Sequence, residues 1–168
     1  MKIIGAVFAR GNSKGIKNKN LLKFNNKTLV GHAVNQAYQS KFIKKVYISS
    51  DSLNIINEAK KYKAIEPFKR PKSLSLDTTP HINTWRHFVR YLKKKKIHAD
   101  YIVDIPTTSP LRNINDINKC IKLAVDKKLD MVFTLTKSNK NPYFNMLEQK
   151  GKKFKLIKNF NKKIRRRQ

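Results

Sequence analysis

The chain has 168 residues, of which 39% are hydrophobic, so it can bury a core as one domain of ordinary size. Its one cysteine, Cys120, excludes an internal disulfide, and no apolar run approaches the roughly 18 residues of a membrane helix. A net charge of +29 indicates either a polyanionic partner, such as nucleic acid, nucleotide or anionic lipid, or a coding bias that spreads lysines over solvated faces.

The first half of the chain alternates between predicted strands and helices. The near-continuous apolar run over residues 2–9 is typical of a strand that is covered on both faces. The following predicted elements are a helix over 29–40, a strand over 46–49, a helix carrying Leu53, Ile56 and Ala59, and a short strand over 64–66. The side chains of residues 50–52 are placed to cap the second helix.

The second half continues this alternation. Thr79 followed by Pro80 predicts a helix start, with the threonine hydroxyl as cap and proline in the first helical position. Asn113 and Asp116 resemble a capping box. The further predicted elements are a helix to about Lys96, a strand over 101–105, a helix over 114–127, a strand over 131–135, and a hairpin with strands 144–148 and 154–157 around Gly151.

Alternating strands and helices predict an α/β fold, a three-layer Rossmann-like sandwich with a mainly parallel sheet, formed by residues 1–168 as a single domain. Ligands of such sheets bind beyond the carboxyl ends of the strands. We therefore expect functional residues in the three loops that follow strands, over residues 10–20, 49–52 and 106–112.

The first of these loops is rich in glycine and cations. It contains neither the Walker A pattern nor Gly-x-Gly-x-x-Gly. The loop therefore lacks the sequence fingerprints of Walker A nucleotide-binding proteins and of dinucleotide-binding folds. Glycines let backbone N–H groups approach an anion, and cations balance its charge. The loop is therefore either a triphosphate cradle or a solvated basic loop, and its relevant residues are Arg10, Gly11, Lys14, Gly15 and Lys19.

Several segments resemble a known family in order and spacing. The segments are A-R-G-N-S-K-G-I-K-N-K-N (9–20), V-Y-I-S-S-D-S (46–52), R-P-K-S-L-S-L-D-T (70–78), P-T-T-S-P-L-R (106–112), N-P-Y-F-N-M (141–146) and R-R-Q (166–168). Together they resemble the acylneuraminate cytidylyltransferases, the CMP-sialic acid synthetase family. The resemblance spans the whole chain and implies a fold of the nucleotide-diphospho-sugar transferase type.

The resemblance implies a reaction in which a hydroxyl of an acidic nonulosonic sugar attacks the α-phosphate of CTP and releases pyrophosphate, with Mg²⁺ assisting. It implies that Arg10 and Lys19 are catalytic and hold the phosphates. The nucleotide site would further include Ala9, Gly11, Lys14, Asn20 and Arg70, and the sugar side would include Thr107, Ser109 and Arg112. Simpler roles are a loop salt bridge for Arg70, and capping for Thr107 and Ser109.

Two positions depart from the family pattern. Pro106 stands where many sialic acid synthetases have glutamine, which disfavours N-acetylneuraminate and leaves pseudaminic- or legionaminic-type sugars. His81 stands where the family often has a small hydroxyl residue near the nucleotide, and its simpler role is a surface position in the first turn of a helix.

Family members continue beyond the R-R-Q segment with a section for sugar binding, dimer formation and the aspartates that hold Mg²⁺. We therefore expect that section to be missing here, a homodimer only for a full-length form, and poor turnover by this chain. Three aspartates within it have other expected roles: helix capping for Asp51, a nucleotide-side loop for Asp77, and a strand position for Asp104. No metal site is expected among these residues.

The sequence also allows two other interpretations. A small basic nucleic-acid-binding protein would stack bases on aromatic side chains such as Tyr38, Tyr47, Trp85 and Phe160, whose spacing also fits core packing. A remnant that binds CTP without turning it over is the other alternative. The N-terminal residues lack a signal-peptide pattern, so a cytoplasmic location is expected, without a membrane partner.

Overall fold

The computed structural model describes residues 1–13, 15–65, 69–138, 140, 142–143 and 146–158. The chain divides into two compact units, Met1–Val132 and Phe133–Gln168. In the described part, no helix combines the length and the apolar character that crossing a membrane requires.

The first unit is built on a parallel sheet. Its described strands are β1 (Ile3–Phe8), β4 (Lys45–Ser49) and β5 (Tyr101–Asp104), in the order β4-β1-β5. Ala6 lies at the centre, opposite Tyr47 on one side and Asp104 on the other. The predicted strand over 64–66 is reduced to a single parallel bridge between Ile65 and Tyr47, and Glu66 lies outside the described residues.

Strand β1 is buried on both faces, as its apolar run predicted. Along β1, Ile3 and Val7 pack into one core cluster, whereas Ile4 and Ala6 pack into a second cluster on the opposite face. This division follows from the two-residue alternation of side chains along a strand. The sheet therefore needs a layer of helices on each side.

Four α-helices in the described part of this unit supply those layers. They are α1 (Leu29–Gln39), α2 (Leu53–Lys61), α3 (His81–Lys94) and α4 (Ile114–Asp126). Apolar residues of α1, α2 and α4 belong to the larger core cluster, while Phe88 and Leu92 of α3 belong to the other. The predicted α/β sandwich with helices on both faces of a parallel sheet is confirmed.

The helix caps differ in part from the predicted ones. The Asn113 side chain caps α4 by accepting a 2.9 Å hydrogen bond from the backbone N–H of Asn115, as expected. The predicted start of α3 is wrong, because the helix begins at His81 and Pro80 is its cap residue. The Thr79 hydroxyl instead donates to the carbonyl of Ser73 at 2.8 Å, which folds back the segment leading into the helix.

A short hairpin that was not predicted from the sequence precedes α1. It pairs β2 (Lys23–Phe24) with β3 (Lys27–Thr28) in antiparallel register. Asn25 and Asn26 form its turn with φ angles of 47° and 61°. Two successive positive φ angles characterise the tight hairpin turns that asparagine tolerates, so the pair Asn25-Asn26 was the available signal.

In the second unit, β6 (Leu147–Lys150) pairs with β7 (Lys153–Leu156) around Gly151, whose φ is 62°. This confirms the predicted hairpin, although its first strand starts later than predicted and residues 144–145 lie outside the described residues. The strand predicted over 131–135 is wrong: Met131, Phe133 and Leu135 are exposed and form no ladder. An apolar run becomes a strand only when a neighbouring strand receives its backbone hydrogen bonds.

Candidate functional site

A cleft of about 220 Å³ opens at the carboxyl ends of β1 and β5 in the first unit. Such strand ends are where open α/β sheets bind their ligands. Three segments form the walls: the loop after β1, residues 70–81, and the loop after β5. The lining side chains include Arg10, Ser13, Lys19, Asn20, Arg70, Ser75, Asp77, Thr79, His81, Thr84, Thr107 and Thr108.

Arg10 and Asp77 form an ion pair within the cleft. Each side chain is about one-third exposed, so the attraction between them is screened by water. An anion that enters the cleft therefore competes with the Asp77 carboxylate for the Arg10 guanidinium. Lys19 also lines the cleft, whereas Lys14 lies outside the described residues.

Gly11 is held against the turn that follows β4. Its backbone N–H donates to Asp51 Oδ1 at 2.9 Å, so this donor is already bonded and does not point at an incoming anion. A Cβ on Gly11 would lie 3.0 Å from the Ser52 Cβ, which leaves little room for a side chain. The predicted role of Asp51 as a cap of α2 is wrong, because this carboxylate anchors the loop after β1.

Arg70 lies buried between the cleft and Asp51. It is only 5% exposed, and its Nε donates to Ser75 Oγ at 3.0 Å. One terminal nitrogen is 3.9 Å from Asp51 Oδ1, a longer contact than a direct hydrogen bond. Burial lowers the pKa of the Arg70 guanidinium, and the nearby Asp51 carboxylate acts in the opposite direction. Arg70 therefore lies at the cleft, where a nucleotide-site residue was expected, and it also makes the loop ion pair that was its simpler expected role.

A buried hydrogen-bond chain joins the loops after β1 and β5. Thr107 Oγ1 donates to Asn20 Oδ1 at 2.8 Å, and Asn20 Nδ2 donates to the Arg10 carbonyl at 2.9 Å. Thr107 and Asn20 are almost fully buried, so these bonds are shielded from water. The chain fixes the backbone of Arg10 relative to both strand ends. Ala9, also predicted for the nucleotide site, lies in the core beneath it.

Of the three residues predicted for the sugar side, one lines the cleft and two lie outside its lining. Thr107 lines the cleft, but Ser109 and Arg112 do not belong to its lining. Arg112 donates to Gln36 Oε1 at 3.0 Å and to the Pro106 carbonyl at 2.8 Å, which closes the loop after β5 onto α1. Burial lowers the pKa of the Arg112 guanidinium. A direct contact of Ser109 or Arg112 with a sugar stays a prediction.

His81, Trp85 and Asp104 form a cluster on the rim of the cleft that was not predicted from the sequence. His81 Nε2 lies 3.0 Å from Asp104 Oδ2, and Trp85 Nε1 donates to the same oxygen at 2.9 Å. The available signal was the spacing of His81 and Trp85, which places them one turn apart on α3, together with an acidic residue at the end of β5. Asp104 was expected only to occupy a position in a strand, but its carboxylate also contacts His81 and Trp85.

The described residues do not supply a set of ligands suited to Mg²⁺. They contain no group of three or more histidine, cysteine or acidic side chains that could hold a metal. Asp51, Asp77 and Asp104 are each engaged by the partners given above. Mg²⁺ and the poor turnover expected of this chain therefore stay predictions.

Comparisons with known proteins agree with this architecture. A family model described as cytidylyltransferase matches residues 4–165. Over 153 residues the chain is 36% identical to post-translational flagellin modification protein B of Campylobacter coli, covering 90% of this chain and 65% of that protein. It is 33% identical, over the same length and with the same coverage, to CMP-N,N'-diacetyllegionaminic acid synthase of Campylobacter jejuni subsp. jejuni. The chain thus spans about 65% of the length of these curated relatives.

A solved structure shares the fold at lower identity. It is CMP:2-keto-3-deoxy-manno-octonic acid synthetase complexed with CTP, which matches with a TM-score of 0.62 and 16% identity. The match covers 76% of this chain and 49% of that one. At this identity the likeness concerns the fold, and it agrees with the Rossmann-like sandwich described above.

Proposed function

The chain belongs to the cytidylyltransferase family, and from this premise we propose that it transfers CMP from CTP to an acidic nonulosonic sugar. In this reaction a sugar hydroxyl attacks the α-phosphate of CTP, a P–O bond forms, and pyrophosphate leaves. Because Pro106 replaces the glutamine of many sialic acid synthetases, a legionaminic- or pseudaminic-type sugar is the favoured acceptor. The relative named as a legionaminic acid synthase supports this choice.

The observation that carries the proposal is the cationic cleft at the strand ends. Arg10, Lys19 and Arg70 line one cavity, where their charges can balance those of a triphosphate. The hydrogen bonds from Thr107 to Asn20 and from Asn20 to the Arg10 carbonyl hold the backbone of Arg10 in place before a ligand arrives. Prior positioning lowers the cost of ordering these groups when the substrate binds.

The direct test is release of pyrophosphate from CTP in the presence of Mg²⁺. The acceptors are legionaminic, pseudaminic and N-acetylneuraminic acid, with a reaction lacking sugar as the blank. We expect release that depends on the sugar and is lowest for N-acetylneuraminic acid. A chain that binds duplex or single-stranded nucleic acid tightly, with a steep salt dependence and no response to CTP, would instead support the nucleic-acid alternative.

Two wider expectations accompany the proposal. A homodimer is expected for a form as long as the relatives, and sedimentation of such a form tests it. A cytoplasmic location remains a further prediction, which fractionation of cells that express the protein tests.

A further inference from the structure

The imidazole of His81 is held in one orientation at the edge of the cleft. Its Nε2 lies 3.0 Å from Asp104 Oδ2. Its ring meets Phe8 edge-on with centroids 5.5 Å apart, and meets Trp85 in the same manner at 5.2 Å. Because Phe8 ends β1 and Asp104 ends β5, the ring is fixed to both strands that carry the cleft.

The partner of Nε2 determines where the imidazole carries its proton. An ionised carboxylate only accepts hydrogen bonds, and Trp85 Nε1 already donates to the same Asp104 oxygen. His81 Nε2 must therefore be the protonated nitrogen of the neutral ring. The lone pair is then on Nδ1, and no hydrogen bond to Nδ1 is found among the described residues.

His81 differs from the other histidine–aspartate pair on the surface. His98 Nε2 lies 2.9 Å from Asp100 Oδ1, which is nearly the same contact. His98 does not line the cleft, whereas His81 shares its walls with the cations Arg10 and Lys19. His81 therefore lines the same cleft as the two cations that are proposed to bind the phosphates, which is where the attacking hydroxyl would have to lie.

We propose that His81 Nδ1 accepts the proton of the sugar hydroxyl as its oxygen attacks the α-phosphate, with Asp104 as the residue that positions the ring. This inference rests on the proposed function. One bond forms between the hydroxyl oxygen and phosphorus, and the bond from phosphorus to the bridging oxygen breaks. The proton moves to Nδ1, and the electron pair of the broken bond leaves with pyrophosphate. The resulting imidazolium is stabilised by Asp104 through Nε2–H.

The deciding experiment is nitrogen NMR of the chain labelled with ¹⁵N-histidine, at a pH where the ring is neutral. The signals are assigned with the variants His81→Gln and His98→Gln. We expect His81 to be protonated on Nε2, with an Nδ1 signal of the unprotonated type that shifts when CTP is added. His98 is the matched control, and its signals should not respond to CTP.

A second measurement reports on chemistry. With CTP and the sugar, His81→Gln should lower kcat by roughly 10²-fold while KM for CTP changes less than about threefold, because loss of a general base affects the chemical step. Free imidazole should restore part of the activity of His81→Ala, which a purely structural histidine would not allow. His98→Gln should leave both constants unchanged.

The outcomes separate this inference from the proposed function. A uniformly ¹⁵N-labelled sample reports on the backbone of the cleft. If the backbone signals of Arg10 and Thr107 in that sample shift with CTP but His81 carries its proton on Nδ1, or its ring signals stay fixed, then the inference is overturned. If no signal of the cleft responds to CTP, the proposed function fails. The tautomer measurement decides even when turnover by this chain is too slow to measure.

Discussion

The backbone N–H of Gly11 donates a 2.9 Å hydrogen bond to Asp51 Oδ1, which ties the loop after β1 to the turn after β4. The buried guanidinium of Arg70 lies 3.9 Å from the same carboxylate oxygen. The loop that carries Arg10 therefore depends on a residue that does not line the cleft. Its shape is set by a contact across two strands as well as by its own glycines.

The first prediction compares the two glycines of this loop. Gly11→Ala should lower the free energy of unfolding by roughly 1–3 kcal/mol, because the added Cβ would meet the Ser52 Cβ at 3.0 Å. Gly15→Ala is the matched control, since no residue beyond its chain neighbours has an atom within 4 Å of its added Cβ. Urea denaturation of the two variants measures the difference. Equal stability would show that Gly11 is not packed against the turn.

The second prediction concerns the anchor itself. Asp51→Ala leaves the Gly11 N–H without its acceptor and removes the carboxylate that lies 3.9 Å from the buried Arg70 guanidinium. We expect both lower stability, by about 1–3 kcal/mol, and weaker CTP binding. Calorimetric titration with CTP and urea denaturation provide the two values. A variant with normal affinity for CTP would show that the anchor has no part in the site.

The third prediction concerns the ion pair between Arg10 and Asp77. Arg10→Ala should weaken CTP binding by ~1–3 kcal/mol, because a charge-assisted contact with phosphate is lost. Asp77→Asn should strengthen binding, because the phosphates no longer compete with a carboxylate for Arg10. Arg90→Ala, at an exposed position outside the cleft, removes the same charge and serves as the control. Equal effects of Arg10→Ala and Arg90→Ala would show that Arg10 acts only through the net charge of the chain and makes no specific contact with CTP.

The fourth prediction tests Arg112 as a structural residue. Arg112→Ala removes two hydrogen bonds and leaves Gln36 Oε1 without this donor, so the free energy of unfolding should fall by about 2–3 kcal/mol. Lys122→Ala breaks an exposed pair with Asp126 and should cost less than about 1 kcal/mol. If Arg112→Ala is as stable as the original chain while its KM for the sugar rises, Arg112 instead contacts the substrate.

Much of the fold could be predicted because most strands and helices are determined by the pattern of apolar residues within each segment. The apolar run of β1 and the stripes of the helices follow from strand and helix periodicity. The strand expected over 131–135 failed because a strand also requires a partner, and periodicity does not reveal one. The start of α3 differed because the Thr79 hydroxyl bonds to Ser73 instead of capping the helix.

The cationic residues of the candidate site could be predicted from the sequence, whereas most contacts between its residues could not. Arg10, Lys19 and Arg70 were identified from the loop and the resemblance, and all three line the cleft. The contact between Gly11 and Asp51 joins residues that are 40 positions apart, and that between His81 and Asp104 spans 23. Such pairings depend on the order of strands in the sheet, which a single sequence does not specify residue by residue.

Titration of the chain with CTP and with ATP at several salt concentrations tests whether the cleft is a CTP site. We expect CTP to bind more tightly than ATP, and both affinities to fall as salt rises, because Arg10 and Lys19 act by charge. We also expect Arg10→Ala to weaken CTP binding more than Arg90→Ala does. Identical curves for CTP and ATP, with no effect of Arg10→Ala, would contradict a cytidylyltransferase site in this cleft.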